Sequence, residues 1–347
     1  MNVSVESTIT VGSLIGGRWL VQRRLGKGGY GMVFAVDDIK GTGTYAMKVA
    51  SFQVETRKRT LSKLRKETYI LKKLENSTHA CRYVDSGRHE QLEFLVMTKT
   101  GRDLHELRKK SKNKRFDIGT ILQIGIQCVE ALRDLHNIGF IHRDVKPSNF
   151  TIGVDRSGKQ IIYMLDFGLA FQYGMPGKLC SYAGAATFHG TLRYASFNAH
   201  GEKSLGMHDD LIALFYTLAE LYRGQLPWTG NEGKYHLGLA KLKADVNEMF
   251  GDMPSEIVDI YKGLIHKSCR DPVDHNGIIA TFTAVASKLD VPGTLNLEYD
   301  SQSEENNSVS TASLISEKPR KSPSKKPNWK KYLASLMAST RPHRSHK

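Results

Sequence analysis

The sequence predicts an α+β fold of two lobes, a small antiparallel β lobe with one helix followed by a larger, mainly helical lobe. Three observations carry that prediction. From residue 19 to about residue 100, short β-branched and apolar runs alternate with turns and a single amphipathic helical pattern. Beyond them the long patterns are helical, over residues 117–137 and 209–223. Between and within these halves, glycines, one strand lysine and a few acidic and amide side chains stand in an order that suits phosphate chemistry.

The first of these is Leu25-Gly26-Lys27-Gly28-Gly29-Tyr30-Gly31-Met32-Val33, in which Gly26, Gly28 and Gly31 form a GxGxxG. Glycines let backbone N–H groups approach phosphate oxygens closely. A Rossmann turn would need a helix directly after the glycines. Here Met32-Val33-Phe34-Ala35-Val36 continues as a strand, so that alternative loses. The next strand, Tyr45-Ala46-Met47-Lys48-Val49, carries one lysine among apolar neighbours. Alone it would read as an exposed edge lysine. The following helix, residues 57–75, changes that reading. Its leucines 61, 64, 71 and 74 form an apolar stripe, and Glu67 falls on it. An inward carboxylate needs a cation, and Lys48 is the candidate.

Phe94-Leu95-Val96-Met97 reads as a buried strand leading into the larger lobe. The 117–137 helix closes at Gly139, and the 209–223 helix is apolar almost all round, as a central helix should be. The most informative segments lie between them. In His142-Arg143-Asp144-Val145-Lys146-Pro147-Ser148-Asn149, Asp144 can accept the proton of an attacking hydroxyl and Lys146 can offset phosphate charge. Asn149 and the Asp166 of Asp166-Phe167-Gly168 supply two oxygen ligands suited to Mg²⁺. Either segment alone is weak evidence; in this order, after a glycine loop and a lysine strand, they point to phosphoryl transfer from ATP.

With these motifs the chain resembles a eukaryotic protein kinase. Within that family it resembles the casein kinase 1 superfamily and its tau-tubulin kinase branch. The distinguishing residues are the 142–150 and 163–170 segments, Gly190-Thr191-Leu192-Arg193-Tyr194-Ala195-Ser196-Phe197-Asn198-Ala199-His200, His208-Asp209-Asp210-Leu211 and Gly224-Gln225-Leu226-Pro227-Trp228. Ala195-Ser196-Phe197-Asn198 stands where generic kinases place Ala-Pro-Glu. The resemblance implies a bilobal protein kinase domain over residues 19–290, a serine/threonine kinase using ATP and Mg²⁺. It places residues 25–33, Ala46, Lys48, Glu67 and Met97 around ATP, with Met97 as gatekeeper and 98–100 as hinge. Asp144 and Lys146 become catalytic, Asn149 and Asp166 metal-binding, and Asp210 the anchor of the catalytic loop. Thr151 stands where an aliphatic residue is usual beneath the adenine. Arg193, with Arg143 near it, implies an anion pocket favouring acidic or already phosphorylated substrates; the alternative is that Arg143 only orders the activation segment. Phe171 departs from the lysine often found in that pocket. Thr187 and Thr191 are candidate phosphorylation sites. A pseudokinase scaffold and a small-molecule phosphotransferase are the alternatives. The intact set Lys48, Asp144, Asn149 and Asp166 argues against the first, and the 190–200 platform against the second.

Composition sets the remaining expectations. The chain has 347 residues, a formal net charge of +15 and four scattered cysteines without a CxxC pair. Reduced thiols, no membrane span, no nucleic-acid recognition fold, a monomeric state and residence in the cytoplasm, nucleus or both are expected. Residues 1–18 read as a flexible lead-in, and residues 291–347 as a disordered basic tail rich in Ser, Lys and Pro. That tail carries about +5 of the charge and leaves about +10 on the rest. Ser322 before Pro323 and the lysine-aromatic run 329–333 are its candidate modification and docking features.

Overall fold

The computed structural model describes residues 9–28, 31–51, 55–155, 157–175, 178–179, 189–201, 203–230 and 233–297. The small lobe is one antiparallel sheet of β1 (Leu14–Ile15), β2 (Trp19–Gly28), β3 (Gly31–Asp38), β4 (Thr44–Ser51), β5 (Tyr83–His89) and β6 (Leu92–Thr98), in the order β1-β2-β3-β4-β6-β5. Strand alternation divides its side chains between two faces. Met47, Val49, Phe94 and Val96 join Ile9, Ile15, Trp19, Val21 and Val36 in an apolar cluster of the small lobe. Their neighbours Ala50, Leu95 and Met97 belong instead to the cluster that continues into the large lobe. Lys48 lies between Met47 and Val49, so it faces the second side, where helix α1 (Glu55–Lys73) covers the sheet.

The large lobe is built on α2 (Leu104–Lys110), α3 (Ile118–Asn137), α4 (Met207–Arg223), α5 (Lys234–Lys243), α6 (Ser255–Leu264) and α7 (His275–Lys288). Asp117 caps α3 by accepting from Thr120 N–H at 2.9 Å, and left-handed Gly139 lies just beyond its end. Every residue of α4 from His208 to Leu221 is buried, as its apolar circumference requires. Gly125, on α3, has a structural cause: a Cβ there would lie 2.2 Å from the Phe282 ring of α7. The hairpin of β7 (Phe150–Val154) and β8 (Gln160–Met164) joins the end of the 142–149 loop to the Asp-Phe-Gly turn. Among the described residues no helix is long and apolar enough to cross a membrane. Cys81 and Cys128 are buried free thiols.

Two boundaries differ from those expected. The small lobe begins before residue 19: Ile9 and Ile15 are buried, Leu14 and Ile15 pair with Leu20 and Trp19, and Val21 N–H donates to Ser13 O at 2.9 Å. At the other end, folded chain continues past residue 290. Val291 packs against the core, while Leu295 and Leu297 are buried in it. The Gln123 amide donates to Pro292 O at 2.8 Å, and Gln160 exchanges two hydrogen bonds with Leu297 at 2.6 and 2.8 Å. A polar average over the whole tail conceals those three apolar residues, and the glutamines satisfy the backbone they bring with them. Residues 298–347, including Ser322, Pro323 and the 329–333 run, lie outside the described residues. If residues 291–297 are integral, Leu295→Ala should lower the unfolding free energy by about 2–3 kcal/mol in urea titration. A loose tail would leave the midpoint unchanged.

Candidate active site

The glycine loop is the turn between β2 and β3, paired up to Gly28 opposite Gly31. Gly31 has φ +150°, and a Cβ there would lie 2.2 Å from Val49 O, so any side chain would push β3 off β4. Gly29 and Tyr30, at the tip, lie outside the described residues. The register places Val33 opposite Lys48 and Lys48 opposite Leu95, and sets Ala46 against Met97. Met97 is buried at the end of β6, where a gatekeeper would stand. Past it, Thr98 N–H donates to Arg82 O at 3.0 Å, and the Thr151 hydroxyl donates to Thr100 Oγ1 at 3.0 Å, so the unusual polar group of the floor has a partner.

Lys48 reaches two carboxylates. Its Nζ donates to Glu67 Oε2 at 2.6 Å and to Asp166 Oδ1 at 3.0 Å. Burial opposes the charge on Lys48, but Asp166 and Glu67 outweigh it and raise its pKa. Burial raises the pKa of Glu67, with Lys48 working against the rise. Burial also opposes ionisation of Asp166, yet Lys48 draws its pKa down to about 2. Asp166 is therefore ionised at neutral pH, with about a third of its side chain open to solvent.

The 142–149 loop gathers around Asp144. Its Oδ1 accepts from Thr191 N–H at 2.7 Å and its Oδ2 from Lys146 Nζ at 2.8 Å. Lys146 also donates to the Thr191 hydroxyl at 3.0 Å. The Asn149 amide nitrogen donates to Asp144 O at 2.8 Å, which leaves Oδ1 as the end of that side chain for a cation. Leu165 N–H donates to Asn149 O at 2.8 Å, tying the Asp-Phe-Gly segment to this loop, and Lys146 adds to the field that lowers the Asp166 pKa. Lys48, Asp144, Asn149 and Asp166 thus share one site. Asn149 and ionised Asp166 fit Mg²⁺, which takes few protein oxygens and completes its shell with water and phosphate.

One buried carboxylate holds the loop in place. Asp210 Oδ2 accepts from His142 N–H at 2.6 Å and pairs with His136 Nε2 at 2.9 Å, while Oδ1 accepts from Arg143 N–H at 2.9 Å. Burial opposes the Asp210 charge, but His136 and the backbone donor of His142 keep its pKa below the usual value. His136 Nδ1 meets His275 Nε2 of α7 at 2.8 Å, a contact that sequence reading missed. Asp103 was also missed; it caps α2 through Glu106 N–H at 2.9 Å, and burial raises its pKa to about 6. Its Asp-x-x-Glu spacing was the available signal.

The two arginines expected to form an anion pocket are held by separate partners. Arg143 Nε donates to Leu169 O at 2.8 Å, and its guanidinium lies 5.1 Å from the centre of the Phe171 ring. Arg193 Nη2 donates to Glu220 Oε1 at 2.6 Å and to Thr229 Oγ1 at 2.9 Å. Buried Glu220 also accepts from Tyr194, and Arg108 Nη2 lies 3.9 Å away. Glu220 was not singled out, although a carboxylate on a helix apolar almost all round is the same signal that marked Glu67. Thr187 lies outside the described residues, and the Thr191 hydroxyl is engaged by Lys146.

Two outcomes follow from this geometry. Asp210→Ala would strand three donors and should cost about 3–5 kcal/mol in urea unfolding; a loss below about 1 kcal/mol contradicts the anchor. The stabilisation held in Asp166 is present above its ordinary value of 3.8 and is lost as pH falls towards about 2. The stability difference between wild type and Asp166→Asn should therefore shrink between pH 4 and pH 2, and an unchanged difference would refute the assignment.

The protein kinase domain family matches residues 19–335. A Dictyostelium discoideum protein named "Probable serine/threonine-protein kinase" is 39% identical over 254 residues, covering 73% of this chain and 50% of its own length. A Caenorhabditis elegans protein named for casein kinase I is 34% identical over 271 residues, covering 76% of this chain and 78% of its own. Casein kinase I homolog 1 of Saccharomyces cerevisiae is 29% identical over 287 residues, covering 78% of this chain and 51% of its own. The chain therefore spans about half the length of the Dictyostelium and yeast relatives. By the family match and the identity to these relatives, the chain belongs to the protein kinase family, in its serine/threonine branch related to casein kinase I.

Proposed function

We propose that this chain transfers the γ-phosphoryl group of ATP to serine or threonine hydroxyls of protein substrates. The observation that carries the reading is the arrangement around Asp144. One carboxylate oxygen is fixed by Thr191 N–H, and the other lies against Lys146, facing the same site as Lys48 and Asp166. In the reaction, the substrate oxygen bonds to the γ-phosphorus as the bond to the β–γ bridging oxygen breaks in line. The hydroxyl proton passes to Asp144 and the leaving oxygen departs on ADP. Lys146, bound to both Asp144 and Thr191, stands where it offsets charge on the transferring group. Lys48, held by Glu67, orients the inner phosphates, and Asn149 and Asp166 would hold Mg²⁺. When bound, that ion neutralises charge on the phosphate oxygens.

A preference for acidic or phosphorylated substrates is the finer part of the proposal. It rests on Arg193 and Arg108 standing near the single carboxylate of Glu220. Burial first, then Lys109 and Arg108, lower the pKa of nearby His105, with Glu220 working against them. Arg193 is about a third exposed, so its guanidinium can meet an anion while keeping Glu220. Arg143, turned towards Leu169 and Phe171, is assigned to ordering the activation segment.

Asp144→Asn should reduce transfer about 10³-fold while Mg-ATP still binds; equal labelling by wild type and variant would sink the assignment. Arg193→Ala should lower kcat/KM about tenfold on primed or acidic peptides and much less on neutral ones. An equal fall on both sets defeats the anion preference.

A further inference from the structure

One buried lysine has no part in the chemistry above. Lys241 of α5 donates to Leu192 O at 2.7 Å, to Ala195 O at 2.6 Å and to His200 Nε2 at 3.2 Å. Its ammonium also lies 5.2 Å from the ring centres of both Tyr216 and Trp228. Among the described residues no carboxylate is within ion-pair reach of it, and burial alone lowers its pKa. His200 Nδ1 donates to Lys234 O at 2.9 Å, so the lone pair on Nε2 faces the lysine. Burial, then the charge of Lys241, holds His200 down at about 3, neutral and able to accept. An ammonium buried without a counter-ion is costly unless each N–H is satisfied. Here three acceptors and two aromatic faces meet that demand.

What those acceptors belong to gives the lysine its significance. Leu192 and Ala195 bracket Arg193 and Tyr194, and the carbonyl of Arg193 accepts from Trp228 Nε1 at 2.9 Å. At the other end of the same turn, Thr191 is bound to Asp144 and Lys146. Residues 191–195 therefore hang between the catalytic base and a set of side chains from α4, α5 and the chain between them. Both carbonyls belong to one turn, so satisfying the lysine also fixes that turn.

We propose that Lys241 is a positioning residue: with His200 and Trp228, it fixes the 191–195 turn so that the hydroxyl-bearing segment of a protein substrate is presented to Asp144. The proposal rests on the kinase reading above, and Lys241 itself touches neither nucleotide nor reacting atoms. Lys241→Met keeps the length of the side chain and deletes its donors. The expected result is a tenfold or greater rise in KM for a peptide substrate. KM for ATP and the slow hydrolysis of ATP without peptide should stay within twofold. Amide hydrogen exchange across 191–195 should quicken at least tenfold. Lys241→Gln, which keeps a donor group, should recover part of each change. Trp228→Phe, which removes the Nε1 donor to Arg193, should move the same quantities less and decides the matter where Lys241→Met does not fold. Parallel loss of ATP and peptide affinity, or unchanged exchange at 191–195 in the variants, overturns the proposal. A wild-type protein that hydrolyses ATP but labels no protein would defeat the functional reading instead, and exchange at 191–195 would still judge the tether.

Discussion

Two carboxylates compete for one ammonium at the centre of this molecule, and the rest of the site is arranged around that shortage. Lys48 comes from β4, Glu67 from α1 and Asp166 from the Asp-Phe-Gly turn, so the pairing exists only when three separate elements are in place. A buried ion pair adds little net stability, because desolvation consumes much of the Coulombic gain. Its effect is on specificity of arrangement: an unpaired Glu67 or Lys48 would be expensive, so α1 cannot drift from the sheet without penalty. Asp144 and Lys146 repeat the pattern nearby. Three acids and two lysines leave about one negative charge uncompensated, which is the electrostatic condition for holding a hard cation beside a polyphosphate.

Backbone strain accompanies this arrangement. Arg143 and Asp166 both have left-handed φ, +66° and +63°, where residues with a Cβ are uncommon. Each is held there by bonds that would be lost on relaxation. Arg143 N–H and His142 N–H are bound to Asp210, and Asp166 is bound to Lys48. At Arg143 the cost is offset by Asp210, a buried acceptor on the most enclosed helix of the large lobe, and at Asp166 by Lys48. The loop that performs chemistry is thus irregular locally and fixed from a rigid element behind it.

Much of this was legible in the chain. The leucine stripe that turned Glu67 inward and the alternation that isolated Lys48 among apolar neighbours both correspond to the observed pair. The two long helices of the large lobe were found, 117–137 from its helical pattern closed by Gly139 and 209–223 from its apolar circumference. Short elements were not. Pairing of two residues in β1 leaves no period to read, and Leu295 and Leu297 are too few to stand out in a polar tail. The partners of Glu220, His275 and Lys241 were hidden for a different reason. A buried polar residue is recognised by its partner, and those partners lie dozens of residues away in the chain, at Arg193, His136 and Leu192. Local spacing likewise could not reveal the separate partners of the two arginines, Leu169 O for Arg143 and Glu220 for Arg193.

Glu220 carries one further implication. It is the sort of acid that could welcome an arginine or lysine on an incoming peptide, yet it is sealed beneath Arg193, Tyr194 and Arg108. A cationic side chain arriving there would meet guanidinium before it met carboxylate, and would have to displace a partner already in place. If substrates bind on this face as proposed, it would select by turning unsuitable peptides away, a form of discrimination that costs no affinity for those it admits.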